Sequence, residues 1–302
     1  MARMSRREFL ASAATVGAAL AVGGRVWAAG GPKVRRGSDV VTLGQTSVRP
    51  TVLGLGTGTV GGREQRELGT EKFTRLVRHA LDRGVRYIDT ADAYMMHVDI
   101  QRALKGVPRE KYFIQTKTRA KSAAVAKADI DRFRRELRVD YIDSVLMHCM
   151  TRAGWPEAMR PVLDVLLEEK RRGRIKAVGV SCHGWTALEL APACPDLDVH
   201  LVRINPFGLK MDAEPDRVVG VLRKMRSKGR GIIGMKIYGE TGLENRKRRL
   251  ESIRYVLGLG LVDCFTIGFS KPEQIDETLA LIEEASAGLR TGRAPAPAPF
   301  AA

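Results

Sequence analysis

Eight short apolar runs recur along this chain, each followed by a segment of helical period. The runs are Thr51–Leu55, Tyr87–Asp89, Tyr112–Thr116, Ile142–Met147, Ile175–Val180, Leu201–Ile204, Gly231–Met235 and Cys264–Ile267. Helical patterns fill the gaps at Glu71–Asp82, Val98–Leu104, Ala123–Leu137, Glu157–Arg172, Thr186–Ala191, Pro215–Lys228, Asn245–Leu257 and Pro272–Glu284. Strands that alternate with helices form a parallel sheet with right-handed crossovers. Eight such pairs close naturally into a barrel of the size this chain allows. An open doubly wound sheet is the competing architecture, but it normally opens on G-x-G-x-x-G. Gly54-Leu55-Gly56-Thr57-Gly58 lacks that spacing. The expected fold is therefore α/β, a (β/α)8 TIM barrel over residues 40–287. A short β-hairpin precedes it, from Val40–Leu43 and Val48–Thr51 around a turn at Gly44–Ser47.

The flanks read differently. Ser5-Arg6-Arg7-Glu8-Phe9-Leu10, an uncharged run from Ala11 to Gly23, and small residues in Val26-Trp27-Ala28 succeed one another as the three regions of an export signal do. Ser-Arg-Arg-x-Phe-Leu resembles the twin-arginine signal, which the twin-arginine translocation machinery reads on folded bacterial proteins. Residues 1–28 are thus expected to address the protein to the periplasm. The apolar run is too short for a stable membrane span, which takes about 20 residues. A Gly-rich basic linker follows at 29–39, and an Ala/Pro-rich tail at 288–302 is expected to be disordered.

The net charge is +17, of which +14 remains beyond Ala28. Solvated helix faces account for it most simply, as in Arg132-Phe133-Arg134-Arg135. Aromatics make up only 6% and no nucleic-acid recognition motif appears, so nucleic acid is not an expected partner. A basic surface for anionic lipid or polymer rests on charge alone. Cys149, Cys182, Cys194 and Cys264 form no C-x-x-C pair and read as core thiols.

Chemistry concentrates where apolar runs end. Asp89 closes the second run, Tyr94 lies five residues on, Lys117 closes the third and His148 the fourth. Such barrels keep their reactive groups at the C-terminal ends of the strands. Taken singly, Asp89 reads as a helix cap, Tyr94 as packing, Lys117 as surface and His148 as a structural histidine. Together on neighbouring strand ends they form a proton-transfer set. A cation beside a phenol lowers its pKa, so Lys117, charge-balanced by Asp89, is expected to tune Tyr94 as a proton donor. His148 is placed to orient a carbonyl oxygen.

These residues carry a family resemblance. Leu53-Gly54-Leu55-Gly56-Thr57, Tyr87-Ile88-Asp89-Thr90-Ala91-x-x-Tyr94, Thr116-Lys117, Asp143-x-x-Leu146-x-His148, Gly179-Val180-Ser181 and Ile267-Gly268-x-Ser270-x-Pro272-x-Gln274 resemble the aldo-keto reductases in order, type and spacing. The resemblance covers roughly residues 40–285. It implies reduction of a small aldehyde or ketone to an alcohol, with NADPH (or NADH) as cofactor and Asp89, Tyr94, Lys117 and His148 as catalytic residues. It also implies a cofactor shell drawn from Gly56, Thr57, Ser181, Cys182, Asn205, Met235, Lys236, Ser270, Lys271, Gln274 and Glu277. The shell departs from the family pattern. Cys182 stands where an Asn is usual, and Met235-Lys236 where an aromatic is, unless Tyr238 reaches back. Met95-Met96-His97 replaces an Asn-Glu, and Glu277-Thr278 a Glu-Asn. Ser270, Lys271 and the last helix N-terminus would take phosphate, with Lys271 favouring NADP. That altered shell keeps a second reading open, a non-catalytic nucleotide-sensing or scaffolding barrel. No metal is required. His148-Cys149 and Ser181-Cys182-His183 supply metal-type ligands on adjacent strand ends, but alternation should point His148 and Cys149 apart.

Overall fold

The computed structural model describes residues 35–290. Eight parallel strands close into one barrel in sequence order: β1 Leu53–Gly56, β2 Tyr87–Asp89, β3 Phe113–Thr118, β4 Ile142–Met150, β5 Ile175–Cys182, β6 Val199–Arg203, β7 Gly231–Met235 and β8 Cys264–Gly268. The register pairs Gly56 with Asp89, Asp89 with Gln115, and Lys117 with Leu146, which aligns the strand ends that carry the chemistry. Successive side chains alternate between barrel interior and helix layer. The interior holds Tyr87, Phe113, Leu146, Ala177, Val199, Leu201, Ile233, Met235 and Cys264. Tyr87 fits there because its neighbour is glycine: a Cβ on Gly54 would sit 2.4 Å from the Tyr87 ring.

The outer layer is α1 Arg63–Glu67, α2 Gly69–Asp82, α3 His97–Ala103, α4 Ala123–Leu137, α5 Trp155–Ala158, α6 Arg160–Arg171, α7 Trp185–Leu190, α8 Pro215–Ser227, α9 Arg246–Gly258 and α10 Pro272–Arg290. Helix α2 shows why these segments are helical. Phe73, Leu76, Val77 and Ala80 recur at helical spacing and are all buried, while charged residues take the other face. Each fully buried large apolar side chain contributes about 1.5–3 kcal/mol. Helix α4 starts where expected because the Ser122 side chain accepts from the Val125 N–H.

Two expectations are corrected here. The single helix expected at 157–172 is two, α5 and α6, parted at Met159. Pro161 has no N–H to donate and begins a new helix instead. The short α1 lies between Leu55 and Glu71, a stretch to which the sequence patterns assign no element. The final helix does not stop at Glu284 but continues to Arg290, so residues 288–290 of the supposed tail are helical. The hairpin is present as one antiparallel bridge, Val40 to Thr51, with N–H bonds from Val41 to Pro50 and from Leu43 to Val48. It tucks Leu43 and Val48 under the barrel's N-terminal mouth. The end of the linker is tied down: Arg35 bonds Ser286 and the Asp263 carbonyl, and Leu53 N–H bonds the Gly37 carbonyl. The signal expected at 1–28 and the tail from 291 lie outside the described residues. No helix among the described residues is long and apolar enough to cross a membrane.

Candidate active site

Lys117 is the fixed point of the site. Its side chain is 1% exposed. Its Nζ donates to both Asp89 oxygens, at 2.8 and 3.0 Å, and to the Thr90 carbonyl at 2.7 Å. An ammonium has three N–H donors, so all are committed. Lys117 therefore reaches Tyr94 through its charge, with Nζ 5.1 Å from the ring centroid. Asp89 is held from the other side by Gln115, whose Nε2 donates to Oδ1 at 2.8 Å and to the Tyr87 hydroxyl at 2.9 Å. Strand alternation explains this grouping. Gln115, Lys117 and Arg119 lie two residues apart on and just beyond β3 and share its inward face.

Tyr94 sits in a one-turn 3-10 helix, Asp92–Tyr94, after β2. Its ring meets His148 edge-on at 5.6 Å, and His148 meets His183 at 6.0 Å. Structure and expectation differ on the phenol. Burial raises the Tyr94 pKa, Lys117 pulls it down, and Asp89, by balancing the lysine, pushes it back up. The net shift is upward, so the hydroxyl stays protonated at neutral pH, the form a proton donor needs. Burial, then the Lys117 charge, lowers His148 to about 2, so its imidazole is neutral. Burial and Arg203 lower His183 to about 3. Arg203 Nη2 donates to His183 Nδ1 at 2.5 Å, which leaves the His183 proton on Nε2. Arg203 is anchored in turn by Asp212 at 3.0 Å.

A cavity of about 250 Å³ opens over this set at the C-terminal mouth of the barrel. Tyr94, His148, Cys149 and His183 line it together with Gly56, Gly58, Gly61 and Gly268. Met235, Lys236, Tyr238, Glu240 and Arg119 complete the wall. A larger open hollow of about 680 Å³ lies at the opposite mouth among Arg49, Arg86, Tyr112 and Tyr141. Asp89, Tyr94, Lys117 and His148 do not border it.

The expected cofactor shell divides. Gly56, Met235 and Lys236 line the cavity, and Tyr238 does reach back to it. Thr57 does not: it is fully buried and bonds the Asp89 carbonyl through N–H and hydroxyl. The Asn205 amide is engaged by the backbone of its own loop and of the segment after β7. Nδ2 donates to the Leu209 and Lys236 carbonyls, and Oδ1 accepts from the Phe207 and Leu209 N–H groups. Cys182 points into the helix-side core, since Ser181 before it faces inward, and burial raises its thiol pKa. Ser181 Oγ accepts from the Cys149 N–H at 3.0 Å. Glu277 is paired with Arg249 at 2.9 Å. At the start of α10, Gln274 Oε1 accepts from the N–H groups of both Ser270 and Lys271.

The idea that His148 and Cys149 point apart is also corrected. A bulge between Met147 and Met150 puts Cys149 at φ 65° and turns both side chains to the cavity. With Cys182 in the core, no metal-type cluster of three His, Cys, Asp or Glu forms among the described residues. The residues missed from the sequence are Gln115, Arg119 and Arg203, and His183 was read there only as a metal-type ligand.

The geometry defines a (β/α)8 barrel with a Tyr–Lys–Asp–His set at its C-terminal mouth. The aldo/keto reductase family model matches residues 52–255, and the chain belongs to that family. Among curated relatives, aldo-keto reductase YhdN of Bacillus subtilis is 28% identical over 162 residues, covering 47% of this chain and 46% of that protein. An aldo-keto reductase of Mycolicibacterium smegmatis is 30% identical over 179 residues, covering 53% of this chain and 56% of its own length. The matched region thus spans about half of each relative. Aldo-keto reductase AKR11C1 from Bacillus halodurans, solved in its holo form, shares the fold with TM-score 0.66 at 18% identity, covering 85% of this chain and 97% of its own. Glycerol dehydrogenase AKR11B4 from Gluconobacter oxydans does so at 0.64 and 18%, covering 88% and 99%.

Proposed function

We propose that this protein reduces an aldehyde or ketone to an alcohol, with a nicotinamide dinucleotide, NADPH by preference, as its second substrate. One observation carries the reading: a fully committed Lys117–Asp89 pair lies beneath a protonated Tyr94, with a neutral His148 edge-on to the phenol.

The residues present are compatible with such a cofactor. Gly56, Gly58, Gly61 and Gly268 present no side chain to the cavity, and Tyr238 and Met235 offer apolar surface for a ring. The Ser270 and Lys271 N–H groups already converge on one oxygen, that of Gln274, and a phosphate oxygen could take its place when the side chain rotates. When bound, the dinucleotide supplies hydride. The chain's own part is proton transfer. As the carbonyl oxygen gains charge, Tyr94 gives up its hydroxyl proton, and the developing phenolate faces the Lys117 ammonium. Asp89 and Gln115 keep that ammonium in place. His148, neutral and carrying one N–H, orients the same oxygen. Tyr94→Phe is expected to lower kcat by roughly 10²–10⁴-fold with NADPH binding retained, checked by steady-state turnover and fluorescence titration. Turnover within threefold of wild type would sink the reading. The committed amide of Asn205 and the core position of Cys182 favour the alternative of a nucleotide-sensing or scaffolding barrel, in which Tyr94→Phe leaves the protein's interactions unchanged.

We further propose export by the twin-arginine route, supported by Ser5-Arg6-Arg7-Glu8-Phe9-Leu10. Replacing Arg6 and Arg7 with Lys should shift the protein from the periplasmic to the cytoplasmic fraction of its bacterial host. An unchanged distribution would end that proposal.

A further inference from the structure

The charges on the cavity wall cancel, with one exception. Asp89 is neutralised by Lys117, and Lys236 by Glu240, whose carboxylate accepts from Lys236 Nζ at 2.5 Å and also from the backbone of Val60. His148 and His183 are neutral. Arg119 remains. It lies two residues beyond Lys117 on the same face of the chain, lines the cavity, and has no carboxylate or hydrogen-bond partner among the described residues. Its charge is nevertheless felt at the chemistry, by Tyr94, His148 and His183 alike. An uncompensated guanidinium beside neutral imidazoles attracts an anion, and its fork matches a carboxylate with two parallel N–H bonds.

We propose that the substrate is a small oxo acid, a carbonyl compound carrying a carboxylate, and that Arg119 binds that carboxylate while Tyr94 and His148 address the carbonyl. The proposal rests on the carbonyl-reductase reading above and narrows its substrate class. The cavity, at about 250 Å³, falls below the roughly 300–1,000 Å³ of ordinary ligand sites, which favours a small substrate. A phosphate of the dinucleotide could use the same guanidinium. Arg119 follows β3, however, whereas the converging N–H groups of Ser270 and Lys271 follow β8, three strands away around the barrel.

The test compares succinate semialdehyde with butanal, and 4-carboxybenzaldehyde with benzaldehyde, on the full-length wild type, Arg119→Met and Arg119→Lys. The wild type should favour the charged member of each pair at least tenfold in kcat/KM, mostly through KM. The ratio should fall to near one in Arg119→Met and recover in part in Arg119→Lys. Calorimetric binding of benzoate, which needs no turnover, should weaken at least tenfold in Arg119→Met. If no aldehyde is reduced but benzoate binding still depends on Arg119, the reductase reading fails and the anion site stands. If aldehydes are reduced with no preference for the charged members, the oxo-acid inference is overturned and the reductase reading survives. It is overturned equally if Arg119→Met weakens NADPH binding tenfold while leaving the charged-to-neutral ratio unchanged, since the guanidinium then serves phosphate.

Discussion

A Cβ on Gly58 would stand 2.6 Å from Cε2 and Cζ of the Tyr94 ring and 2.8 Å from its hydroxyl. A Cβ on Gly62 would likewise come within 2.9 Å of Tyr94 Cβ. Two glycines thus box the proton donor, and the phenol cannot yield to a methyl group without leaving its place beside His148 and above Lys117. Gly58→Ala is expected to lower kcat about 100-fold, the cost of a misplacement near 1 Å, with far-UV circular dichroism unchanged. A variant of normal kcat would show that Tyr94 has room the packing denies it. Asp89, Tyr94, Lys117 and His148 were legible in sequence because each ends, or directly follows, an apolar run. The partners of Thr57 and Asn205 were not legible: the Thr57 hydroxyl bonds the Asp89 carbonyl on β2, and the Asn205 amide bonds loop backbone. Family spacing cannot reveal such partners. Gln115 and Arg119 were missed although the signal was present: counting by twos from Lys117 along β3 reaches both.

Helix α10 and strand β4 show what an element's pattern conveys and what it hides. The apolar periodicity of α10 marks its body, but its first turn is organised by Gln274, whose side-chain oxygen holds the Ser270 and Lys271 N–H groups. That interaction bears on how a phosphate would enter, and periodicity does not encode it. In β4, Ile142-Asp143-Ser144-Val145-Leu146-Met147 reads as a strand without ambiguity, and strict alternation then separates His148 from Cys149. The bulge breaks alternation at the residue where the strand meets the cavity. A non-glycine residue in the left-handed region is costly, and here the Cys149 N–H is held by Ser181 Oγ from the neighbouring strand. The bulge is therefore a property of the β4–β5 pair, which explains why neither strand announces it alone. The order and number of strands were readable because they depend on burial repeated eight times, and an error of a residue or two at an end leaves the closure intact.

At the scale of the whole molecule, histidine burial sets the expected response to acid. Four of the five histidines, His97, His148, His183 and His200, have pKa values lowered chiefly by burial. For such groups the unfolded chain binds protons more readily than the fold. Their contribution is whole above the ordinary histidine pKa near 6.5 and is lost as pH falls toward the folded value. Burial raises Asp143, Asp212 and Asp263, which act in the opposite sense from the ordinary carboxylate range upward. The net charge of +17 adds repulsion as acid is added. One substitution isolates the histidine contribution. His200 lies on β6, away from the cavity, completely buried, with neither ring nitrogen hydrogen-bonded, and burial followed by the Arg230 charge lowers it to about 3. In His200→Leu the carboxylate and net-charge effects remain and cancel in the comparison. The variant should be at least as stable as wild type at pH 7.5, since it removes a buried polar ring without partners. Below pH 6.5 its advantage should widen by up to about 1.4 kcal/mol per pH unit, read as the gap between urea-unfolding free energies at pH 7.5, 6.0, 5.0 and 4.5. A constant gap across that range would mean that His200 takes up its proton inside the fold, through a partner that the buried strand β6 does not provide.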